Sequence, residues 1–341
     1  MRRRVWPWAR TLAGVAILLA LGWQMGTEAF VAGLGVLDVS AVLAALALGL
    51  WTTACNAGRW YLVARRLSLR LPPATALADY YRAMFLNVVL PAGVLGDAHR
   101  AVSHGRRSGD LGRGVRAVVL ERVGGQLVLI VVGAAVLLAR PSLALAMGRE
   151  ILPGATGAVV LLVSLAALVG LAAWLRFDAA ASRWRAGTAT AWADTRRGLL
   201  ARETWPGMVV LSLAALAGNV ALFVVAARAV GTTAPLSQLV PVLVLALLVM
   251  ALPVNVGGWG PREAFLAFAF AAAGLGAEQG LTVAVACGVL TLVASVPGAA
   301  VLVLRRAVPA RPTTASTGAT STGSEGETAQ LGAHSPQTVP E

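Results

Sequence analysis

Nine apolar runs, each between 15 and 25 residues long, dominate this sequence and dictate its solvent. They fall at roughly 9–26, 39–57, 75–96, 117–139, 154–175, 207–229, 236–252, 262–276 and 281–304. A helix needs about 20 apolar residues to cross the hydrocarbon core of a bilayer. Only 13% of the 341 residues are charged, whereas a soluble domain carries about a quarter. The apolar mass is Ala, Leu and Val rather than alternating polar and apolar positions, which excludes a membrane β-barrel and predicts helices. The expected fold class is all-α: a polytopic membrane helical bundle.

The net charge of +13 does not imply nucleic acid, because placement matters more than the sum. All 28 basic residues are arginine, clustered between apolar runs as topology determinants are. Segment 1–10 carries four, 58–73 four, 97–116 five, 176–206 six and 305–341 three. Segments 27–38, 230–235 and 277–280 carry none, and 140–153 carries two. By the positive-inside rule the first group is cytoplasmic and the second external, with both chain termini in the cytoplasm. The stretch Met1 to Phe30 has a basic then apolar layout but lacks a small-x-small cleavage site, so it reads as a retained transmembrane helix. Residues 1–306 form the expected membrane domain. The Thr, Ser, Gly and Pro-rich stretch 307–341 reads as a disordered cytoplasmic tail that cannot bury enough surface to offset its ordering entropy.

One run violates a simple count of crossings. The basic segments 58–73 and 97–116 flank the apolar run 75–96, so a single crossing would put one of them outside. A hairpin that enters from the cytoplasm, breaks and returns resolves the parity. The break is supplied by Asn87-Val88-Val89-Leu90-Pro91-Ala92-Gly93-Val94-Leu95-Gly96, where Pro91 lacks an N–H and the glycines weaken a helix. A second break, Leu252-Pro253-Val254-Asn255-Val256-Gly257-Gly258-Trp259-Gly260-Pro261-Arg262-Glu263, interrupts 236–276. That segment is either a re-entrant hairpin from outside or a set of full crossings. In the first case the two halves mirror each other, and paired broken helices place a transport site at the breaks.

An ionisable group at a helix centre costs about 2.5–3.5 kcal/mol on insertion scales, so each one in these runs needs an account. Asp79 and Arg82 are spaced to pair on one helical face near the interface. Asp97 and Arg100 follow the first break. Either Gly93 and Gly96 let backbone amides approach an anionic headgroup that Arg100 also binds, or Asp97 caps the next helix and Arg100 marks the cytoplasmic face. Glu121 and Arg122 open the run 117–139, with Arg113 and Arg116 close by, and fit either a helix start or a basic vestibule. Gly260-Pro261-Arg262-Glu263 is a helix start inside apolar sequence, whose free N–H groups could bind phosphate or be satisfied by Glu263. Arg228 is placed to snorkel at the external end of 207–229. Cys55 and Cys287 read as core residues. His99 and His104 lack the spacing and carboxylates of a metal pair, and no nucleotide loop or catalytic triad is present. No cofactor is expected.

The run Phe85 to Arg100 resembles the Asn…Leu-Pro…Gly-Asp…Arg motif of the flippase-like domain of lysylphosphatidylglycerol synthases. Glu121-Arg122 and the stretch from Leu252 to Glu263 also resemble that family's pattern, and the resemblance spans roughly residues 10–305. Where the family usually has Gly-Gly-Asp, this chain has Leu95-Gly96-Asp97. The resemblance implies a bacterial plasma-membrane protein that moves an anionic, aminoacylated or polyprenyl-linked lipid across the bilayer. Its expected binding residues are Asn87, Pro91, Gly96, Asp97, Arg100, Glu121, Arg122, Gly258, Gly260, Arg262 and Glu263, with no catalytic residue. The aminoacyl-transfer activity of the synthases is not carried over. Membrane lipids are the expected partners, with a separately encoded lipid-modifying or glycosyl-transfer enzyme as a further one. Two alternatives stay open: an accessory subunit of a lipid or cell-envelope synthase, and a polyprenyl-phosphate glycosyltransferase, for which the first external loop offers only Glu28 and Asp38.

Overall fold

The computed structural model describes residues 38–89, 95–143, 145, 202–250 and 261–307. The first apolar run, the run 154–175, the tail, Pro91, Gly93, Gly258 and Gly260 lie outside these residues. Eight helices are described: α1 Val39–Arg66, α2 Pro73–Val89, α3 Leu95–Ser108, α4 Leu111–Ala139, α5 Trp205–Ala229, α6 Leu236–Met250, α7 Pro261–Ala272 and α8 Ala277–Ala307. Four of them (α1, α4, α5 and most of α8) are long and apolar enough to cross a membrane. The protein is a multi-pass helical membrane protein.

The helix ends follow from local chemistry. Asp38 caps α1 by accepting the Ala41 N–H at 2.7 Å, and Arg65 and Arg66 sit in its last turn, where the helix dipole favours cations. Asp110 caps α4 through the Arg113 N–H at 2.8 Å. Proline occupies the first position of α2 and α7, where no intrahelical N–H is lost. Gly109 precedes α4, and Gly274 and Gly276 precede α8, all at positive φ. Each short-helix pair thus leads into its following long helix through a glycine turn.

Two sequence-derived boundaries shift. The basic segment 58–73 is not a loop: α1 continues to Arg66, leaving a connection of residues 67–72 whose leucines 67, 69 and 71 are buried. The basic segment 97–116 is likewise helical, forming most of α3 and the first turns of α4. The re-entrant pair is therefore α2 with α3, and the returning limb is the polar one. Asp79 near the start of α2 meets Arg107 at the end of α3, while Asn87 near the end of α2 meets Gly96 and Asp97 at the start of α3. That register is antiparallel, so the hairpin returns to the side it left. At 1.5 Å per residue α2 is about 25 Å long, short of the length of α1 at about 42 Å.

The second half repeats the pattern of long, short, short, long. Ser237 and Gln238 at the start of α6 share a cavity with Ala272 and Ala273 at the end of α7, which makes that pair an antiparallel hairpin too. Helix α1 packs along α5 in opposite directions: Trp51 Nε1 donates to Ala214 O at 2.9 Å, while Leu62 lies against Gly207. Exchanging α1 to α4 for α5 to α8 maps the packing onto itself. Thus α3–α4 answers α7–α8, α2–α8 answers α6–α4, and α1–α8 answers α5–α4. The two hairpins open on opposite faces, as inverted halves require.

Close crossings rest on glycine, as is common where helices meet without a hydrophobic driving force. A Cβ on Gly96 would lie 2.1 Å from the Ala83 carbonyl oxygen of α2, and one on Gly298 would lie 2.2 Å from the Tyr81 carbonyl oxygen. Gly96→Ala should therefore lower stability by about 1–3 kcal/mol through overpacking against backbone. Gly58→Ala, which meets only the flexible end of Leu211 at 3.2 Å, should be milder. Thermal unfolding in detergent compares the two, and equal melting temperatures would contradict the crossing.

Candidate functional site

The tip of the first hairpin is surrounded by charge. Glu121 lies ten residues into α4, about 15 Å below its start at 1.5 Å per residue. Its side chain is completely buried. Glu121 Oε1 accepts from Arg59 Nη2 at 2.7 Å and from the Tyr80 hydroxyl at 3.4 Å, and Oε2 accepts from Arg100 Nη2 at 2.9 Å. Arg100 Nη2 also donates to Asp97 Oδ1 at 2.9 Å, and Asp97 Oδ2 accepts from Asn87 Nδ2 at 3.0 Å and from Arg122. Arg59 reaches across to the second half, where its Nη1 donates to Ser212 Oγ on α5 at 3.1 Å.

Three guanidinium groups thus face two carboxylates, leaving an excess of one positive charge. Arg100 is fully buried, with its guanidinium 4.6 Å from the Trp60 ring centroid and 4.2 Å from that of Tyr80. The aromatic faces offset part of its desolvation. Arg59 Nε and Arg100 Nε and Nη1 are buried without a hydrogen-bond partner among the described residues. Unmet donors beside an excess of positive charge suit an anion. Arg122 is 49% exposed and opens this cluster outward.

Asn87, Gly96, Asp97, Arg100, Glu121 and Arg122 are brought together as one network. Gly96, however, does not present its amide to a ligand. Its N–H donates to Asn87 Oδ1 at 2.7 Å, and its missing Cβ serves the α2–α3 crossing. Asp97 sits in the first turn of α3 but spends its carboxylate on Asn87, Arg100 and Arg122 rather than on capping alone. Asp79 and Arg82 are not a snorkelling surface pair: the Asp79 carboxylate is buried, 3.3 Å from Arg82, and pinned to Arg107. Arg228 turns back to donate to Thr232 O at 2.5 Å beyond the end of α5.

Among the described residues, Arg262 and Glu263 meet each other rather than Asp97 or Glu121: Arg262 Nη2 lies 2.6 Å from Glu263 Oε1 on α7, which packs on α6 and α8. Sequence reasoning missed Arg59, Trp60, Tyr80 and Ser212. Arg59 was counted with the cytoplasmic loop, although it precedes Arg66 by seven residues, two helical turns, with no helix breaker between them.

The sequence profile of the lysylphosphatidylglycerol synthase TM region matches residues 9–298. The chain belongs to this family. Searches of curated proteins and of solved structures find no match. Membership of the synthase transmembrane family ties the protein to lipid modification or transport, and Asn87, Gly96, Asp97 and Arg100, four residues of the motif that carries the family resemblance at the first hairpin, belong to the buried network.

Removing one partner of a buried ion pair typically costs about 3–5 kcal/mol, because an uncompensated charge is left behind. Glu121→Ala strands both Arg59 and Arg100 and should destabilise on that scale. Asp97→Ala, at a side chain 14% exposed, should cost less. Unfolding midpoints of the two variants in one detergent measure the difference.

Proposed function

We propose that this protein translocates an anionic, aminoacylated or polyprenyl-linked lipid between the leaflets of the bacterial plasma membrane, with both termini in the cytoplasm. The observation that carries the reading is the buried arginine-rich network where the end of α2 meets the start of α3, beside helices long and apolar enough to cross a bilayer. Charge buried among such helices costs several kcal/mol and marks a path for a polar cargo. Inverted halves with hairpins open on opposite faces supply the architecture of alternating access. The headgroup phosphate binds the unmet donors of Arg59 and Arg100 and the half-exposed Arg122, with Asp97 and Glu121 holding these arginines in place. Arg262 and Glu263 act at the second break, on the path to the opposite leaflet. The chain moves the lipid, and a separately encoded enzyme modifies it.

The glycosyltransferase reading loses support from Asp38. Its carboxylate caps α1, where the Ala41 N–H and then the Ser40 hydroxyl hold it below the ordinary carboxylate pKa, so it is already engaged structurally. Glu28 lies outside the described residues.

Proteoliposomes carrying fluorescent phosphatidylglycerol on one leaflet, quenched from outside, measure translocation directly. Arg122→Ala should slow it at least tenfold and Arg262→Ala should also reduce it, with both variants folded by melting temperature. Wild-type rates in both variants would remove these residues from the mechanism, and no translocation by the wild type would end the proposal.

A further inference from the structure

A second cluster of cations lies apart from the buried network, at the mouth of the first hairpin. A cavity of about 500 Å3 opens there between the 67–72 connection, the end of α3 and the start of α4. Arg70, Arg107, Arg113 and His104 line it, together with the hydroxyl residues Ser68 and Thr75, and no carboxylate is among its lining residues. Two of these arginines already have an acid partner. Asp79 pairs with Arg107 and Arg82, and Asp110 caps α4 and lies 3.4 Å from Arg113 Nε. Arg70 is exposed and has no hydrogen-bond or ion-pair partner among the described residues.

Two further features point inward. His104 is 2% exposed, yet its Nε2 has no hydrogen-bond partner among the described residues. A buried ring nitrogen on a cavity wall is a donor or acceptor awaiting a ligand or water. Ser68 has φ 58°, the only non-glycine among the described residues with positive φ. That conformation turns the chain between α1 and α2 and keeps Ser68 on the cavity wall.

We propose that this mouth cavity is a binding site for a phosphate group, distinct from the hairpin-tip network. Arginine recognises phosphate by paired, charge-assisted hydrogen bonds, and basic pockets between membrane helices on the cytoplasmic side hold lipid headgroups. Arg70, Arg107 and Arg113 supply the charge, His104 Nε2 and the hydroxyls of Ser68 and Thr75 the remaining contacts. The two sites adjoin: the Trp60 ring touches both, its centroid 5.2 Å from that of His104 and 4.6 Å from the Arg100 guanidinium one turn earlier on α3. The site does not depend on translocation. A protein that bound phosphate here and moved no lipid would keep it.

The full-length protein in neutral detergent tests this with two probes. Inorganic phosphate, titrated by calorimetry, reports a soluble ligand; retention of phosphatidylglycerol against phosphatidylcholine, read by native mass spectrometry, reports a lipid one. Wild-type protein should bind at least one probe, and whichever binds names the source of the phosphate. Arg70→Ala combined with Arg113→Ala should weaken that binding at least tenfold, at an unchanged melting temperature, since Arg70 is exposed and the Arg113 side chain is 41% exposed. Arg228→Ala, at the end of α5 and outside both clusters, should leave it within twofold. Binding of neither probe by the wild type overturns the site, as does wild-type binding by the double variant. Equal loss in Arg228→Ala would show binding that follows net charge alone and overturn it as well.

Discussion

The burial of Glu121 between Arg59 and Arg100 holds the membrane core of this protein together. A carboxylate with no exposed surface, ten residues into α4, has no water to solvate it. Its charge is met by arginines from α1 and α3, and Arg59 in turn reaches Ser212 on α5. One side chain therefore fixes the rotation of α1, the depth of α3 and the register of α4. It also ties the first half to the second.

The network depends on backbones coming closer than ordinary side chains permit. Gly125 leaves room for the Arg59 guanidinium, since a Cβ there would stand 2.2 Å from Nη1. Gly96 lets α3 lie on α2, and Gly114 meets Gly105 where α3 joins α4. Glycine and charge are thus two parts of one arrangement: the small residues set the helix spacing, and the spacing puts each guanidinium within reach of a carboxylate.

Much of this was legible in the sequence, for identifiable reasons. The long helices follow from apolar length, and the first hairpin follows from a conflict between two basic segments that a single crossing cannot resolve. The mirrored second hairpin was visible as one of two options, because parity does not distinguish them; α6 and α7, at 15 and 12 residues, are shorter than the about 20 residues a crossing takes. The mistakes share a cause. Arginine clusters mark loops, so the sequence puts Arg59 in the basic segment 58–73 and leaves Arg100 either on a headgroup or at the cytoplasmic face, whereas both are buried. Charge tells which side of the membrane a segment belongs to, whereas depth is set by tertiary partners such as Glu121 and Trp60 that no local pattern reveals. Gly96, one of whose two readings from sequence is an approach for a headgroup, has its space filled by α2.

The two halves are alike in outline and unlike in charge. The first hairpin tip gathers five charged side chains, while α7 carries an adjacent arginine–glutamate couple on one turn. Matching halves turned over would put the same ions at the same depth on both sides. Unequal charge gathers the buried ions on one half instead, so the ion-bearing hairpin, and not the mirrored helix order, decides where the hydrocarbon core has to accommodate polar atoms.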